Sequence, residues 1–89
     1  MIRPRYDLQF APKAIRSLRK LDHAAAHRVR KTAEALRDDP RPSGSAMLTG
    51  AHGVLRVRTG DYRILYVVDD DRLVVLVVDA GHRRDIYQR

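Results

Sequence analysis

The sequence predicts a single α+β domain in which an N-terminal helical hairpin packs on a mainly antiparallel sheet. With 89 residues, of which 44% are hydrophobic and 33% charged, the chain has enough apolar material for one small core and no room for a second domain. The spacing of its apolar residues changes halfway along, from the repeat of amphipathic helices to the alternation of strands. The expected order of elements is β-α-α-β-β-β over residues 1–89.

The N-terminal half predicts one short edge strand and two helices. Apolar and polar residues alternate from residue 6 to residue 10, and Pro12 suits the first turn of a helix, where an N–H is not needed. Asp22 is a suitable N-cap for the second helix, and Pro40 disfavours helix at the residue before it. The residues expected to face inward are Ala14, Ile15, Leu18 and Leu21 in the first helix and Ala25 or Ala26, Val29, Ala33 and Leu36 in the second.

The segment from Pro40 to Gly53 is rich in Pro, Gly and Ser, which is typical of a loop. Met47 and Leu48 are expected to be its short apolar anchor. Strands resume at Val54, and the dipeptide Gly60-Asp61 matches the two-residue type II′ turn of a hairpin. The strand that follows this turn should run from residue 62 to residue 68.

The last strand is expected in the interior of the sheet. The run from Leu73 to Val78 is apolar without alternation, which is typical of a strand covered on both faces. A tight turn at Asp70-Asp71 would place Arg63 opposite Val78. Gly81 is then expected to end the sheet and to leave residues 82–89 as a basic tail.

The composition excludes several classes of function. Because the chain has no cysteine, it can form neither a disulfide framework nor a Cys-based metal site, and a reducing compartment fits best. The longest aliphatic run has six residues, too few for a membrane span or the core of a signal peptide. We therefore expect a soluble, cytoplasmic protein without a metal or cofactor.

The balance of charge favours a polyanionic partner. The chain carries 18 Lys and Arg against 11 Asp and Glu, a net charge of +7. Such an excess attracts nucleic acid, although a solvated surface with a partner of opposite charge would show it too. The charge alone does not separate these two interpretations.

The predicted hairpin concentrates arginines on one face of the sheet. A two-residue turn puts Arg58 opposite Arg63, with Arg56 on the same face. Like charges directly opposite each other destabilise a sheet by up to ~1 kcal/mol, so this pair favours a bound anion such as a phosphate. The alternative is that the arginines reach water or nearby acids such as Asp61 and Asp79.

The C-terminal tail adds further polar side chains to the same region. It follows the interior strand directly, so its first residues should begin at one edge of the sheet. Cations from three chain segments would then meet in one patch, which is a stronger indication of function than any of them alone. The tail residues concerned are His82, Arg83, Arg84 and Tyr87.

Several motifs together resemble the RelE branch of the RelE/ParE toxin family, over nearly the whole chain. They are Leu18-x-x-Leu21, Pro40, Leu48-Thr49-Gly50, Arg56-x-Arg58-x-Gly60-Asp61-Tyr62-Arg63-Ile64-x-Tyr66 and Gly81-His82-Arg83-Arg84-x-Ile86-Tyr87. The resemblance implies a RelE-like fold and a toxin that cleaves mRNA in the ribosomal A site. It also implies a cognate acidic, RelB-like antitoxin that holds the toxin inactive in a hetero-oligomeric complex, with Arg16 and Arg19 either as additional contacts or as ordinary solvated cations.

The resemblance also implies which side chains do the chemistry. The reaction needs no metal, because the ribose 2′-OH attacks the adjacent phosphorus and leaves a 2′,3′-cyclic phosphate. Guanidinium groups would stabilise the charge that develops on the phosphate oxygens. The implied catalytic residues are Arg56, Arg58, Arg63, Arg83 and Tyr87. Arg56 and Arg58 are also expected to bind RNA, together with Arg84 and His82 of the basic tail.

The chain departs from the best-studied members of the family at the first two of these positions. They hold lysine where this chain has Arg56 and Arg58, and an arginine practically cannot lose its proton to act as a general base. Both are therefore interpreted as phosphate clamps. The base is left open between Tyr87, His82 and His52, since histidine titrates near neutrality. Two alternatives also remain, a ParE-like protein that inhibits DNA gyrase by binding and a catalytically degenerate toxin.

Overall fold

The computed structural model describes residues 4–48, 50 and 52–86. Within these residues the chain forms a five-stranded sheet with two helices on one face. A short helical turn follows the last strand. The elements are β1 (Asp7–Phe10), α1 (Pro12–Arg19), α2 (His23–Ala35), β2 (Ala46–Met47), β3 (Leu55–Thr59), β4 (Tyr62–Asp69), β5 (Val74–His82) and α3 (Arg83–Ile86).

The order of strands in the sheet is β1-β5-β4-β3-β2. β1 pairs with β5 in parallel and the other pairs are antiparallel, which confirms the predicted α+β class and the edge position of β1. β5 lies between β1 and β4, as predicted, but only one of its faces is fully covered. Val75 and Val77 are 0% exposed, whereas the alternate residues Val74, Leu76 and Val78 are half-buried.

The two helices begin where the sequence places them. Pro12 lies in the first turn of α1, and the Asp22 side chain accepts a 2.8 Å hydrogen bond from the Ala25 N–H at the start of α2. α2 ends at Ala35, somewhat before Pro40. Both helices pack on the sheet face that carries Val57, Ile64 and Tyr66. The buried helical residues are Ala14, Leu18, Ala25, Ala26, Val29, Ala33 and Leu36.

Three predictions about individual residues are wrong. Ile15 is 39% exposed, because the eight-residue α1 buries a narrow stripe and Ile15 lies on its flank, facing a groove. Met47 is 61% exposed and is not an anchor: it belongs to β2, a short edge strand inside the expected loop, whereas Leu48 is half-buried. Gly81 does not end the sheet, since β5 continues through it to His82.

The described residues contain no helix that is long and apolar enough to cross a membrane.

Candidate nucleic-acid site

The β3–β4 hairpin brings two arginines face to face, as predicted. Gly60 adopts φ = +63°, the conformation that a type II′ turn requires at its first central position. The register therefore pairs Thr59 with Tyr62 and Arg58 with Arg63. Directly opposed residues have Cα atoms ~4.5 to 5.5 Å apart, so the two arginines start from adjacent points of one face.

The pairing of β4 with β5 differs from the prediction and brings the C-terminal residues closer to this hairpin. Arg63 pairs with Gly81 and not with Val78. Two causes add up to this shift of three residues. The turn between the strands spans residues 70–73, because Asp69 pairs with Val74, and a bulge interrupts the ladder beside Leu65.

This register places the start of α3 beside the turn of the hairpin. The Arg83 N–H donates a 2.9 Å hydrogen bond to the backbone carbonyl of Asp61. Arg58, Arg63 and Gly81 thus lie side by side on three neighbouring strands, and Arg83 follows two residues later. The structure brings cations from three chain segments to one end of the sheet; we call Arg56, Arg58, Arg63 and Arg83 the arginine site.

The arginines of this site differ in exposure. Arg63 is 9% exposed and Arg56 is half-buried, whereas Arg58, Arg83 and the neighbouring Arg84 are exposed. Within the described ranges the exposed three form no ion pair with a carboxylate. Arg58 therefore does not reach Asp61 or Asp79. Its exposed guanidinium group lies in water, as the alternative interpretation also expects, and it is available to an anion.

His82 lies beside the site, and its ring makes two contacts with neighbouring residues. It pairs with Tyr62, and the two rings meet edge to face with centroids 5.5 Å apart. Its Nδ1 accepts a 3.2 Å hydrogen bond from the Arg84 N–H. Since the Tyr62 ring packs on the core, His82 lies on the helical face of the sheet, away from Arg58 and Arg63, where it supports the start of α3.

Of the other two candidate bases, the structure describes only His52, which is not brought to the arginine site. His52 lies in an exposed turn that leads into β3, at the end of that strand away from Gly60. Tyr87 lies outside the described residues, so its predicted role stays a prediction. The described part of the chain contains no group of His, Cys, Asp or Glu that could hold a metal ion.

Asp79 is a buried carboxylate close to the arginine site. The sequence analysis considered it only as a possible partner of the arginines. Asp79 is 6% exposed; its Oδ1 accepts hydrogen bonds from the Ser17 hydroxyl at 2.7 Å and from the Ala80 N–H at 2.9 Å. Its Oδ2 lies 3.5 Å from the Lys13 ammonium. These contacts fix α1 to the strand segment that leads into Arg83, and they line a cleft of 420 Å³ that reaches Gly81. A lone acid after an apolar strand was the signal for this network.

Arg28 of α2 is a second residue that the sequence analysis missed. A Cβ built on Gly60 would lie 2.6 Å from the Arg28 Nη1, so the guanidinium rests against the hairpin turn. The turn therefore needs glycine for its backbone conformation, and a Cβ at this position would also displace the flexible end of the Arg28 side chain. Nothing in the spacing of α2 residues distinguishes Arg28 from its exposed neighbours, which is why the sequence alone does not point to it.

Comparison with known proteins agrees with this fold. A family model described as the ParE toxin of type II toxin-antitoxin systems, parDE, matches residues 8–87. Toxin RelG of Mycobacterium tuberculosis is 33% identical over 85 residues, which cover 94% of this chain and 98% of RelG. The mRNA interferase toxin RelE of Escherichia coli K12 is 29% identical over 80 residues, 88% of this chain and 83% of that protein.

A solved structure shows the same fold. In the toxin–antitoxin complex RelBE2 of Mycobacterium tuberculosis, one chain superposes with a TM-score of 0.80 at 28% identity, over 89% of this chain and 99% of that one. The match of the family model over most of the chain, the relative above 30% identity and this superposition agree with one another. The chain therefore belongs to the RelE/ParE family and is a toxin of a type II toxin-antitoxin system.

Proposed function

We propose that this protein is a metal-independent endoribonuclease that cleaves mRNA in the ribosomal A site. The observation that supports it most is the meeting of Arg58, Arg63 and Arg83 from three chain segments at one end of the sheet. Two of the three are exposed without a carboxylate partner among the described residues. The E. coli relative named as an mRNA interferase supports the same activity.

The chemistry assigns a role to each arginine. The 2′-oxygen attacks the adjacent phosphorus while the bond from phosphorus to the 5′-oxygen breaks, which leaves a 2′,3′-cyclic phosphate and a free 5′-OH. A base takes the 2′ proton, and the leaving 5′-oxygen gains one. Arg63 and Arg83 would donate hydrogen bonds to the non-bridging oxygens as negative charge develops there. Arg56 and Arg58 would hold the flanking phosphates.

The burial of Arg63 suits the first of these roles. A guanidinium held in a site from which water is largely excluded interacts more strongly with a developing charge than one in bulk solvent. The exposed Arg58 next to it can follow a mobile RNA backbone. Of the two opposed arginines, the buried Arg63 would therefore bind the reacting phosphate from a fixed position. The exposed Arg58 would adjust to the neighbouring phosphate.

We also propose an acidic antitoxin as the inhibitory partner. The structures that resemble this chain include toxin–antitoxin complexes such as RelBE2 and the E. coli RelBE complex. An acidic segment over the arginine site would neutralise its exposed cations, Arg58 and Arg83, and it would block access of RNA. Co-expression with the product of an adjacent acidic reading frame should yield one hetero-oligomeric complex on purification.

The cleavage activity is tested by inducing this chain alone in cells and mapping the 5′ ends of transcripts by primer extension. We expect new ends within coding regions, at codon positions that correspond to the A site, and arrested translation. Intact transcripts combined with stalled replication would contradict the proposal. That result would favour the second candidate, a gyrase inhibitor, which the match to the ParE family model keeps in view.

A further inference from the structure

Arg83 lies just beyond the sheet, at the start of the four-residue helix α3. The first N–H groups of an α-helix have no partner within the helix, so the N–H groups of Arg83 and Arg84 both need an acceptor from outside. The Arg83 side chain is exposed, and its guanidinium group can reach a phosphate only from where the backbone places it. The contacts that fix the start of α3 therefore matter for the arginine site.

Both of these N–H groups have an acceptor. The Arg83 N–H donates to the Asp61 carbonyl at 2.9 Å, which links α3 to the hairpin turn. The Arg84 N–H donates to the His82 Nδ1 at 3.2 Å. His82 thus occupies the N-cap position of α3, where a side-chain acceptor bonds the N–H two residues further along the chain. The backbone of Arg83 is held on both sides.

The His82 ring is itself held by the core of the domain. His82 pairs with Tyr62 in the sheet, and the two rings meet edge to face with centroids 5.5 Å apart. Tyr62 packs against the buried core, and His82 is half-buried. The core therefore determines where Nδ1 lies, and Nδ1 in turn determines how the chain enters α3.

The hydrogen bond from Arg84 requires one protonation state of the imidazole. A neutral imidazole has one N–H and one acceptor nitrogen, so Nδ1 can accept only when the proton is on Nε2. In the protonated ring both nitrogens carry hydrogen, and the Nδ1 hydrogen would face the Arg84 N–H. In the geometry observed neither nitrogen has a free lone pair, so His82 does not also take the 2′ proton of an RNA.

We propose that His82 is a positioning residue of the arginine site. Its neutral ring holds the start of α3 so that Arg83 reaches the reacting phosphate, and protonation of the ring releases this segment and lowers activity. His82 acts through Arg83 and does not touch the RNA. The effect on cleavage rests on the proposed function, whereas the effect on the backbone of α3 does not.

The other ionisable groups around His82 are not histidines. The elements that pack around this end of β5 are β4, α1 and α3, and Arg28 of α2 lies against the hairpin turn. Asp, Tyr, Lys and Arg titrate outside the range of about pH 5 to 8 in model peptides, and histidine titrates within it. The groups on these elements and the turn are Lys13, Lys20, Asp61, Tyr62, Arg63, Asp79, Arg83, Arg84 and Asp85.

Two substitutions separate the acceptor of His82 from its ring. His82→Asn keeps an acceptor, because an N-cap amide oxygen accepts the same N–H, and it does not titrate. His82→Phe keeps an aromatic ring beside Tyr62 and has no acceptor. His27→Asn, at an exposed position of α2, is the matched control. Circular dichroism checks that each variant is folded, and mRNA cleavage on purified ribosomes is measured with each full-length protein.

At about pH 8 we expect His82→Phe to lower kcat about tenfold, because a misplacement of ~1 Å can cost up to ~10²-fold. Its KM should stay within about twofold of the parent value, since the lost interaction belongs to the transition state. His82→Asn should keep kcat within about threefold of the parent value, because the cap remains. A normal kcat for His82→Phe, or equal losses in both variants, would overturn the proposal.

The pH profile distinguishes the cap from an ordinary packing role. Between about pH 8 and pH 5.5 the parent chain should lose about tenfold more activity than His82→Asn, because asparagine cannot be protonated in this range. His27→Asn should follow the parent profile. Parallel profiles for the parent chain and His82→Asn would show that protonation of His82 does not release Arg83.

NMR of the free protein tests the hydrogen bond without a cleavage assay. At about pH 8 the His82 ring should carry its proton on Nε2. As the ring is protonated, the Arg84 amide hydrogen should exchange about tenfold faster than the same amide in His82→Asn at equal pH. A proton on Nδ1 at about pH 8 would overturn the inference. If these signals appear as expected but the parent chain does not cleave mRNA, the nuclease proposal fails and the hold of His82 on α3 stands.

Discussion

The arginines at the two ends of the sheet differ in whether they pair with a carboxylate. At the end near Gly60, Arg58 and Arg83 are exposed without a carboxylate partner among the described residues. At the other end, Arg41 makes a two-pronged contact with Asp70, at 3.2 and 2.8 Å, and the Tyr6 hydroxyl donates to the same carboxylate at 2.7 Å. Arg41 therefore has an acid beside it that contributes to the structure, whereas Arg58 and Arg83 have the exposure expected of cations that bind an anion.

Asp79 is a buried acid close to the arginine site, and its contacts show why it does not pair with the exposed arginines. Asp79 lies near Arg63 in the sheet, yet its oxygens receive hydrogen bonds from Ser17 and from its own neighbour along the chain. The carboxylate thus contributes to the attachment of α1 and does not neutralise the exposed arginines. Asp79 therefore leaves the positive charge of the exposed arginines in place, because its carboxylate contacts α1.

The largest expected effect is on cleavage. Arg83→Ala should lower the rate of mRNA cleavage on purified ribosomes by about 10²-fold or more, since removal of one donor to a developing oxyanion costs ~10² to 10³. Arg83 is exposed, so the fold should be unaffected and the antitoxin should still co-purify. Arg72→Ala at the opposite end is the control and should cleave normally. Normal cleavage by Arg83→Ala would show that the arginines near Gly60 are no more important for cleavage than those at the opposite end of the sheet.

The second effect is on stability at the functional end. Ser17→Ala removes a hydrogen bond to the buried Asp79 carboxylate, and loss of such a bond to a charged group costs ~1.5 to 3 kcal/mol of unfolding free energy. Chemical denaturation measures this loss. Ser43→Ala, at an exposed position, is the matched control and should change stability by no more than ~0.5 kcal/mol. Equal stabilities of the two variants would show that the Asp79 network is not needed.

The third effect concerns the hairpin turn. Gly60→Ala forces a side chain into a left-handed backbone conformation and against Arg28, which should lower the unfolding free energy by ~1 to 2 kcal/mol. Gly44→Ala is the matched control, because nothing lies within 4 Å of a Cβ there and its φ is not left-handed. Thermal unfolding of the two variants tests the difference. A Gly60→Ala protein as stable as the control would contradict the turn described above.

The smallest effect is a pH dependence at the far end of the sheet. Hydrogen bonds from Arg41 and Tyr6 hold the pKa of Asp70 below its ordinary value of 3.8. The stabilisation is therefore present above the unfolded-state pKa and is lost as the pH falls through the lower, folded-state value. Free energies of unfolding measured between pH 7 and pH 3 should fall less steeply for Asp70→Asn than for the parent chain.

The exposed neighbour Asp71 provides the control for this measurement. Asp71→Asn should follow the acid dependence of the parent chain, and an identical curve for Asp70→Asn would show that the cluster contributes nothing. Tyr6 gives a second readout, since its hydrogen bond to Asp70 raises the pKa of the phenol above 10.0. Its contribution is present below that value and should disappear as the pH rises through the folded-state pKa.

The sequence was sufficient where local chemistry determines the structure. Gly60 fixes the conformation of its turn, and the turn fixes which residues oppose each other, so the pairing of Arg58 with Arg63 followed from two residues. The N-cap Asp22 and the buried stripe of α2 likewise depend on spacing along one element. Tertiary packing agrees with these preferences and does not override them.

The sequence was insufficient where the structure adopts an unusual local conformation or a long-range contact decides it. The β4–β5 turn is two residues longer than expected because Leu73 adopts φ = +56°, which leucine rarely does. Asp69 also accepts hydrogen bonds from two N–H groups of that turn. The bulge beside Leu65 adds one residue more, and Arg63 consequently meets Gly81. Neither feature has a signal in the apolar pattern.

Because β1 pairs in parallel with β5, the first strand of the chain can enter the sheet only after the last strand has been synthesised. Asp7 and Val74 are partners although 67 positions separate them, and Arg83 follows only nine residues after Val74. During synthesis on a ribosome, from the N-terminus onward, β1 has no neighbour in the sheet until nearly the whole polypeptide has been made. The arginine site is likewise incomplete until synthesis is nearly finished, because Arg83 is among the last residues to be added.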